Sequence, residues 1–382
     1  MQNKKILVEN ILPFWLKNSI DYENGGIYTC VDKCGDIYGT EKSVWFQGRA
    51  LWTFSKAYNV IEKNPEYLKA AEAIYNFLDK CTDTDGRMFF TVTADGREIQ
   101  KRRYYFSETF AAIGCAEFYK ATGKEEALIK ANKYFDVAYE CFKGIRKTAP
   151  KFNAENHDFK ALSPVMIMLA TAQVLRSVDY DKYNLIAKEC LDEILHGGYN
   201  TKKALMENVT SDGEFSDTPS GRIVNPGHSL EAAWFIMSEG LLTDNQEAID
   251  AAKDIIDKTY PLGWDKKHGG IIAFTDVNNK PPVQLEWDMK LWWPQCEAMI
   301  ATRLAYIVLK DEKYIKMYEE LKEYSEKYFY DNECGEWYGY LHYDNTPSTD
   351  LKGNIFKGPF HIPRLYMIMA VLDETGDMRD FF

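Results

Sequence analysis

The chain has 382 residues, a formal net charge of −12 and 46% hydrophobic residues. That apolar share supports a packed core and excludes intrinsic disorder. The acidic balance argues against nucleic acid and against anionic membranes, both of which call for a basic surface, and no run of 18 apolar residues predicts a membrane span.

The N-terminal stretch MQNKKILVENILPFWL has two lysines before its apolar residues, but Glu9 and Asn10 interrupt it. Its spacing predicts an amphipathic helix rather than a signal peptide. Apolar residues at i, i+3 and i+4 predict helices over 2–18, 44–60, 66–82, 105–121, 125–142, 159–176, 181–195, 228–240, 245–259, 288–308, 312–328 and 361–374. That makes about twelve helices. Between alternate helices lie Gly-led segments: NGGIYTCVDKCGDIY, DGRMFFTVTADGREI, HGGIIAFTDVNNKPP, CGEWYGYLHYDNTP and the looser HGGYNTKKALMENV. They read as short hairpins with Gly, Asn or Asp-Gly turns.

Their leading glycines, Gly25, Gly86, Gly197, Gly269 and Gly335, are 61, 111, 72 and 66 residues apart. The widest gap leaves room for a further member near residue 150. The chain therefore reads as six units of roughly 60 residues, each a helix pair followed by a loop or hairpin. The apolar share and the lack of polar end repeats favour a closed ring over an open protein-binding solenoid. The expected fold is an all-α (α/α)6 barrel, one domain over 1–382. Its hairpin loops gather at one end, where the facing helix N-termini form the mouth of a pocket.

The eight cysteines, without a secretion signal, read as reduced thiols of a cytoplasmic protein. Cys30 and Cys34 are close but have no second pair for a zinc site.

Two of the six histidines stand at helix entrances. In GRIVNPGHSLEAAW, Asn225 is a favoured N-cap and Pro226 suits the first helical position. His228 then falls in the first turn, Gly227 beside it leaves backbone room for a substrate, and Glu231 follows one turn on. In KGPFHIPRLYMIM, Pro363 suits a first helical position and His361 lies just ahead of it. The positive end of the helix dipole disfavours imidazolium, so both histidines are suited to accept a proton at neutral pH.

Aromatic clusters flank charged residues: Trp45, Arg49 and Trp52; Tyr104, Tyr105 and Glu108; Trp292, Trp293 and Glu297. Rings beside Arg and Glu suit a sugar, whose C–H faces stack while its hydroxyls hydrogen-bond; the plain alternative is core filling. His228 and Glu231 share a helix face, but no second such pair and no HExxH accompany them, so no metal is expected. No phosphate-binding loop, dinucleotide fingerprint or nucleophile elbow is present.

The stretches WFQGRALW, GRIVNPGHSLEAAW, KLWWPQCEAM and GPFHIPR resemble, in matching order, the N-acylglucosamine 2-epimerase superfamily. That superfamily includes cellobiose 2-epimerases and aldose–ketose isomerases. The resemblance implies an (α/α)6 barrel acting on free reducing sugars with no required cofactor. It makes His228 and His361 the acid/base pair and sets Arg49 on the C1 and C2 oxygens of the opened sugar. Glu231 would assist His228 in ring opening, Glu297 would join the same network, and Trp45, Tyr104, Met166, Trp292, Trp293 and Arg364 would bind substrate. It also implies a homodimer, and ATP as an allosteric activator, although no nucleotide motif is present.

The reaction so implied interconverts N-acetylglucosamine and N-acetylmannosamine. The ring opens, a base removes the C2 proton, an arginine stabilises the cis-enediolate, and rotation about C2–C3 exposes the other face to reprotonation. The stretch KALSPVMIMLATAQVL, with Ser163, Pro164 and Met166, is more similar to the N-acylglucosamine enzymes than to the cellobiose enzymes, which carry histidines in this helix. A mannose–fructose type isomerase and a cellobiose or glucose 2-epimerase are the alternatives on the same scaffold. An (α/α)6 glycoside hydrolase would need two carboxylates bracketing a glycosidic bond. A non-catalytic binding module would leave both histidines without work.

Overall fold

A computed structural model describes residues 2–150, 152–153 and 155–382. Helices α1 (Gln2–Ile6) and α2 (Leu12–Asn18) run on from each other through a π turn at Leu7–Ile11. Then come α3 (Val44–Val60), α4 (Pro65–Phe77), α5 (Phe106–Thr122), α6 (Glu125–Phe142), α7 (Leu162–Leu175) and α8 (Tyr180–His196). The chain continues through a one-turn α9 (Pro219–Arg222), α10 (Pro226–Leu242), α11 (Gln246–Gly263), α12 (Trp292–Leu309), α13 (Glu312–Tyr328) and α14 (His361–Thr375).

Two kinds of helix alternate. In α13 the buried residues are Tyr314, Tyr318, Leu321, Tyr324 and Ser325, one stripe at helical spacing. In α10 every residue from Ser229 to Gly240 is buried. A helix apolar on all sides must be enclosed, and one with a single stripe must lie outside it. So α3, α5, α7, α10, α12 and α14 form an inner ring, closed by α14 against α3. Outer helices α4, α6, α8, α11 and α13 each back the inner helix before them, and the N-terminal α1 backs α14. This is the expected (α/α)6 barrel. The chain's first helix completes the last pair, which welds the ring's two ends together. Inner helices approach closely where side chains are absent: a Cβ on Gly48 would lie 2.4 Å from the Phe110 carbonyl carbon.

The loops differ from simple hairpins. Among the described residues β2 (Thr91–Val92) and β3 (Glu98–Gln100) form a ladder within one unit, while single antiparallel bridges such as Val31–Ile37, Asn200–Leu205, Trp264–Ile271 and Tyr330–Trp337 close the other Gly-led segments. The other two-residue strands join neighbouring units: β1 (Lys42–Ser43) with β2, β4 (Lys160–Ala161) with β5 (Asn208–Val209), β6 (Ile223–Val224) with β7 (Thr275–Asp276), and β8 (Lys290–Leu291) with β9 (Tyr340–Leu341). Strands β1, β4, β6 and β8 each precede an inner helix closely, so the ladder fixes where that helix begins. Near residue 150 the connection from Lys143 to Phe159 makes no ladder of its own among the described residues; Lys151 and Ala154 lie outside them.

Buried charge fixes the hairpins from below. Lys42 donates to Asp21 at 2.7 Å, Lys290 to Asp265 at 2.7 Å, and Lys352 pairs with Asp331 at 2.8 Å. All three lysines are fully buried. The first-turn glutamines repeat a second device: Gln47 bonds both backbone groups of Ile27, and Gln295 both of Ile271.

The cysteine expectation is corrected at the ring closure. Cys34 and Cys334 form a disulfide across 300 residues, beside a Lys33–Glu333 ion pair. The other six cysteines are free and buried. Local spacing could not reveal a partner that only ring closure brings near. Among the described residues, no helix is long and apolar enough to cross a membrane.

Candidate active site

The N-terminal ends of the inner helices converge on the loop end of the barrel. The Asn225 side chain accepts from the His228 backbone N–H at 3.1 Å, with Pro226 at the first helical position. Helix α10 thus starts where Asn-Pro dictates, and the His228 ring enters the cavity. Helix α14 starts at His361, two residues before Pro363. First-turn N–H groups have no intrahelical acceptor, so a proline at the third position forfeits no bond.

Both imidazoles are held through Nδ1. His361 Nδ1 lies 2.8 Å from Glu297 Oε1, and His228 Nδ1 lies 3.1 Å from both oxygens of Glu207. In each ring that leaves Nε2 for a substrate. The Trp293 ring centre stands 5.1 Å from His228 and 5.8 Å from His361, so one indole touches both.

Their environments differ. Burial pushes the His361 imidazole down, and the charges of Arg364 and Arg49 push it further, holding it well below the ordinary histidine value. Desolvation also pushes His228 down, but the Glu207 carboxylate outweighs it and leaves His228 above the ordinary value. The helix dipole had predicted two neutral histidines. A carboxylate in contact outweighs a dipole end, so only His361 is biased that way.

Glu231 does not bond His228. Its Oε1 accepts from Arg364 at 2.5 Å, and Arg364 also lies 2.8 Å from Glu297 Oε1. Glu297 Oε2 accepts from Trp234 Nε1 at 2.8 Å. Glu231, Glu297 and His361 place one potential ligand atom each within 4.8 Å of one another. The cation among them is the Arg364 guanidinium. Arg49 packs over the faces of Phe110 and Phe360, 3.9 and 4.7 Å from their centres, and its Nε has no hydrogen-bond partner. Burial lowers its guanidinium to about 9, which keeps it charged at neutral pH. It therefore carries unspent donors into the cavity.

Gly227 has a packing role of its own. A Cβ there would lie 2.5 Å from the Trp293 ring, so the glycine makes room for the indole. Trp45 lines both the inner and outer parts of the cavity; Tyr104, Met166 and Arg364 line the inner part, and Trp292 and Trp293 the outer. Two residues escaped the sequence reading. Glu207 sits in the Gly197-led hairpin just before β5, and the register of that repeat was its only signal. Trp234 lies three residues beyond Glu231, one turn further into the barrel.

Paired acid–base histidines, an unspent arginine and an aromatic wall at the mouth of an (α/α)6 barrel mark an enzyme of carbohydrate isomerisation. A family model for N-acylglucosamine 2-epimerase (GlcNAc 2-epimerase) matches residues 26–360. The chain is 33% identical over 372 residues to the N-acylglucosamine 2-epimerase of Rattus norvegicus, covering 94% of this chain and 88% of that one. It is 27% identical to the cellobiose 2-epimerase of Dictyoglomus turgidum, covering 94% and 95%. The solved cellobiose 2-epimerase of Bacillus thermoamylovorans superposes with a TM-score of 0.84 at 25% identity, covering 96% and 97%. The chain belongs to the N-acylglucosamine 2-epimerase family and is a carbohydrate epimerase or isomerase.

Proposed function

We propose that this enzyme interconverts N-acetylglucosamine and N-acetylmannosamine, with His228 and His361 exchanging the C2 proton. One observation carries the reading. Two imidazoles face one cavity, each tied through Nδ1 to a carboxylate, one biased neutral and the other biased towards its proton. The neutral Nε2 of His361 removes the C2 proton of the opened sugar. The electron pair passes into the C1 carbonyl, giving an enolate whose charge sits on the C1 oxygen while C2 keeps its acetamido nitrogen. Arg49 holds the C1 enolate oxygen with donors that are otherwise unspent. His228 then delivers its proton to C2 from the other side, and the reverse reaction exchanges the two roles. Glu297 and Glu207 fix the tautomers, while Glu231 anchors Arg364 beside His361.

The acyl substrate is favoured by Ser163 and Met166 on α7, where cellobiose-type sequences carry histidines. The reading includes a homodimer whose turnover responds to ATP; sedimentation and rates with added ATP test those two parts. The central test is NMR in D2O with N-acetylmannosamine. Deuterium enters C2 and the N-acetylglucosamine signals grow in. No exchange at C2 refutes the assignment, and fructose formed from mannose, with none of the acyl sugars turned over, replaces it with isomerisation.

A further inference from the structure

Two cavities meet at the histidines. The outer one, about 530 Å³, opens between Trp292, Trp293, Tyr340 and Phe356. The inner one, about 360 Å³, shares Trp45, Arg49, His228 and Glu231 with it and continues away from the mouth. Its α7 wall runs from Ser163 through Met166 and Ala170 to Val174. That is three turns, roughly 16 Å of helix. The rings of Phe381 and Phe382 line the same cavity.

Below Arg49 and Glu231 this wall is mostly carbon. Ser163, Thr171 and Gln173 are its few polar side chains, too few to replace the water that all the hydroxyls of a pyranose would lose. A sugar held at C1 and C2 between the histidines therefore stays at the junction. The substituent on C2 begins at His228, which lines both cavities. An acetyl group occupies only the upper rim of the inner space. One turn of α7, roughly 5.4 Å, matches about four carbon–carbon bonds of a zigzag chain. A six-carbon acyl group, with five such bonds, thus reaches from the rim at Ser163 to about the level of Ile167 and points towards Ala170 one turn ahead.

We propose that the inner cavity is a subsite for an aliphatic N-acyl chain longer than acetyl on C2 of the hexosamine. This inference rests on the acylhexosamine reading above and specifies its acyl group. Each methylene that leaves water for this wall tightens binding by up to about fourfold.

The test measures Kd for N-acetyl-, N-butanoyl- and N-hexanoylglucosamine through the emission of Trp45, Trp52 and Trp234, with C2 exchange followed in parallel. Binding tightens at least tenfold from acetyl to hexanoyl, and Ala170→Phe reverses that order; Ile167→Phe, on the same wall, is the second variant should the first fail to fold. A Kd that is flat or rises with chain length overturns the subsite, as does a variant that weakens all three sugars alike. Chain-length-dependent binding without epimerisation of any sugar supports the subsite and overturns only the proposed activity. Epimerisation of the acetyl sugar with no chain-length gain overturns the subsite alone.

Discussion

Arg364→Met tests how the buried cluster works. The guanidinium is only 6% exposed and lies 2.5 Å from Glu231 and 2.8 Å from Glu297. At an effective dielectric of about 20, each contact carries roughly 6 kcal/mol of attraction, and desolvation cancels much of it. Methionine keeps most of the volume but strands two carboxylates, and breaking a buried pair on one side costs about 3–5 kcal/mol. The loss is present at neutral pH. It shrinks as pH falls, because a stranded carboxylate whose folded pKa has risen takes up a proton and the penalty goes with it. Arg364 also holds His361 down, so its removal lets the imidazole protonate at higher pH. Urea unfolding followed by circular dichroism across pH 5–8 reads the first effect, and the acid limb of the pH–rate profile reads the second. Arg364→Lys restores part of both, since it returns the charge without the fork. A loss below about 1 kcal/mol with an unmoved acid limb would refute the reasoning.

Glu207→Gln removes the charge that holds His228 above its ordinary value, so the alkaline limb of kcat moves to lower pH and kcat near neutrality falls. An unchanged pH profile would show that Glu207 only packs. Gly227→Ala pushes a methyl into Trp293, which costs about 1–3 kcal/mol and lowers the melting midpoint and turnover together. Full activity with an unshifted midpoint would remove that packing argument. Cys34→Ser opens a crosslink across 300 residues and destabilises the unreduced protein, by up to about 6 kcal/mol in the chain-entropy limit, so its melting midpoint falls. Reductant should then shift the parent protein but not the variant, and an equal response of the two counts against the crosslink.

The barrel and the start of α10 were legible because their causes are local, whereas α14 begins two residues ahead of the Pro363 that had marked its start. Apolar spacing set the helices, Asn225-Pro226 set the start of α10, and the recurring glycines set the count of units. The order of inner and outer helices emerged only in the structure, in the contrast between the all-round burial of α10 and the single stripe of α13. The roles of the charged residues were not legible either. Glu231 stands one turn from His228 in sequence, yet it pairs with Arg364, 133 residues away. Glu207, 21 residues before His228, takes the place that proximity had given to Glu231. Helical spacing says which side chains share a face of one helix. It cannot say what a neighbouring helix or hairpin presents to that face, and in a buried site the nearest opposite charge decides protonation. The sequence by itself determined the ring, its mouth and the residues that reach it. Only the closed tertiary structure decided which carboxylate serves which histidine, that Gly227 makes room for Trp293, and that Cys34 meets Cys334. Each of those pairings joins segments that share no local periodicity and meet only when the ring closes.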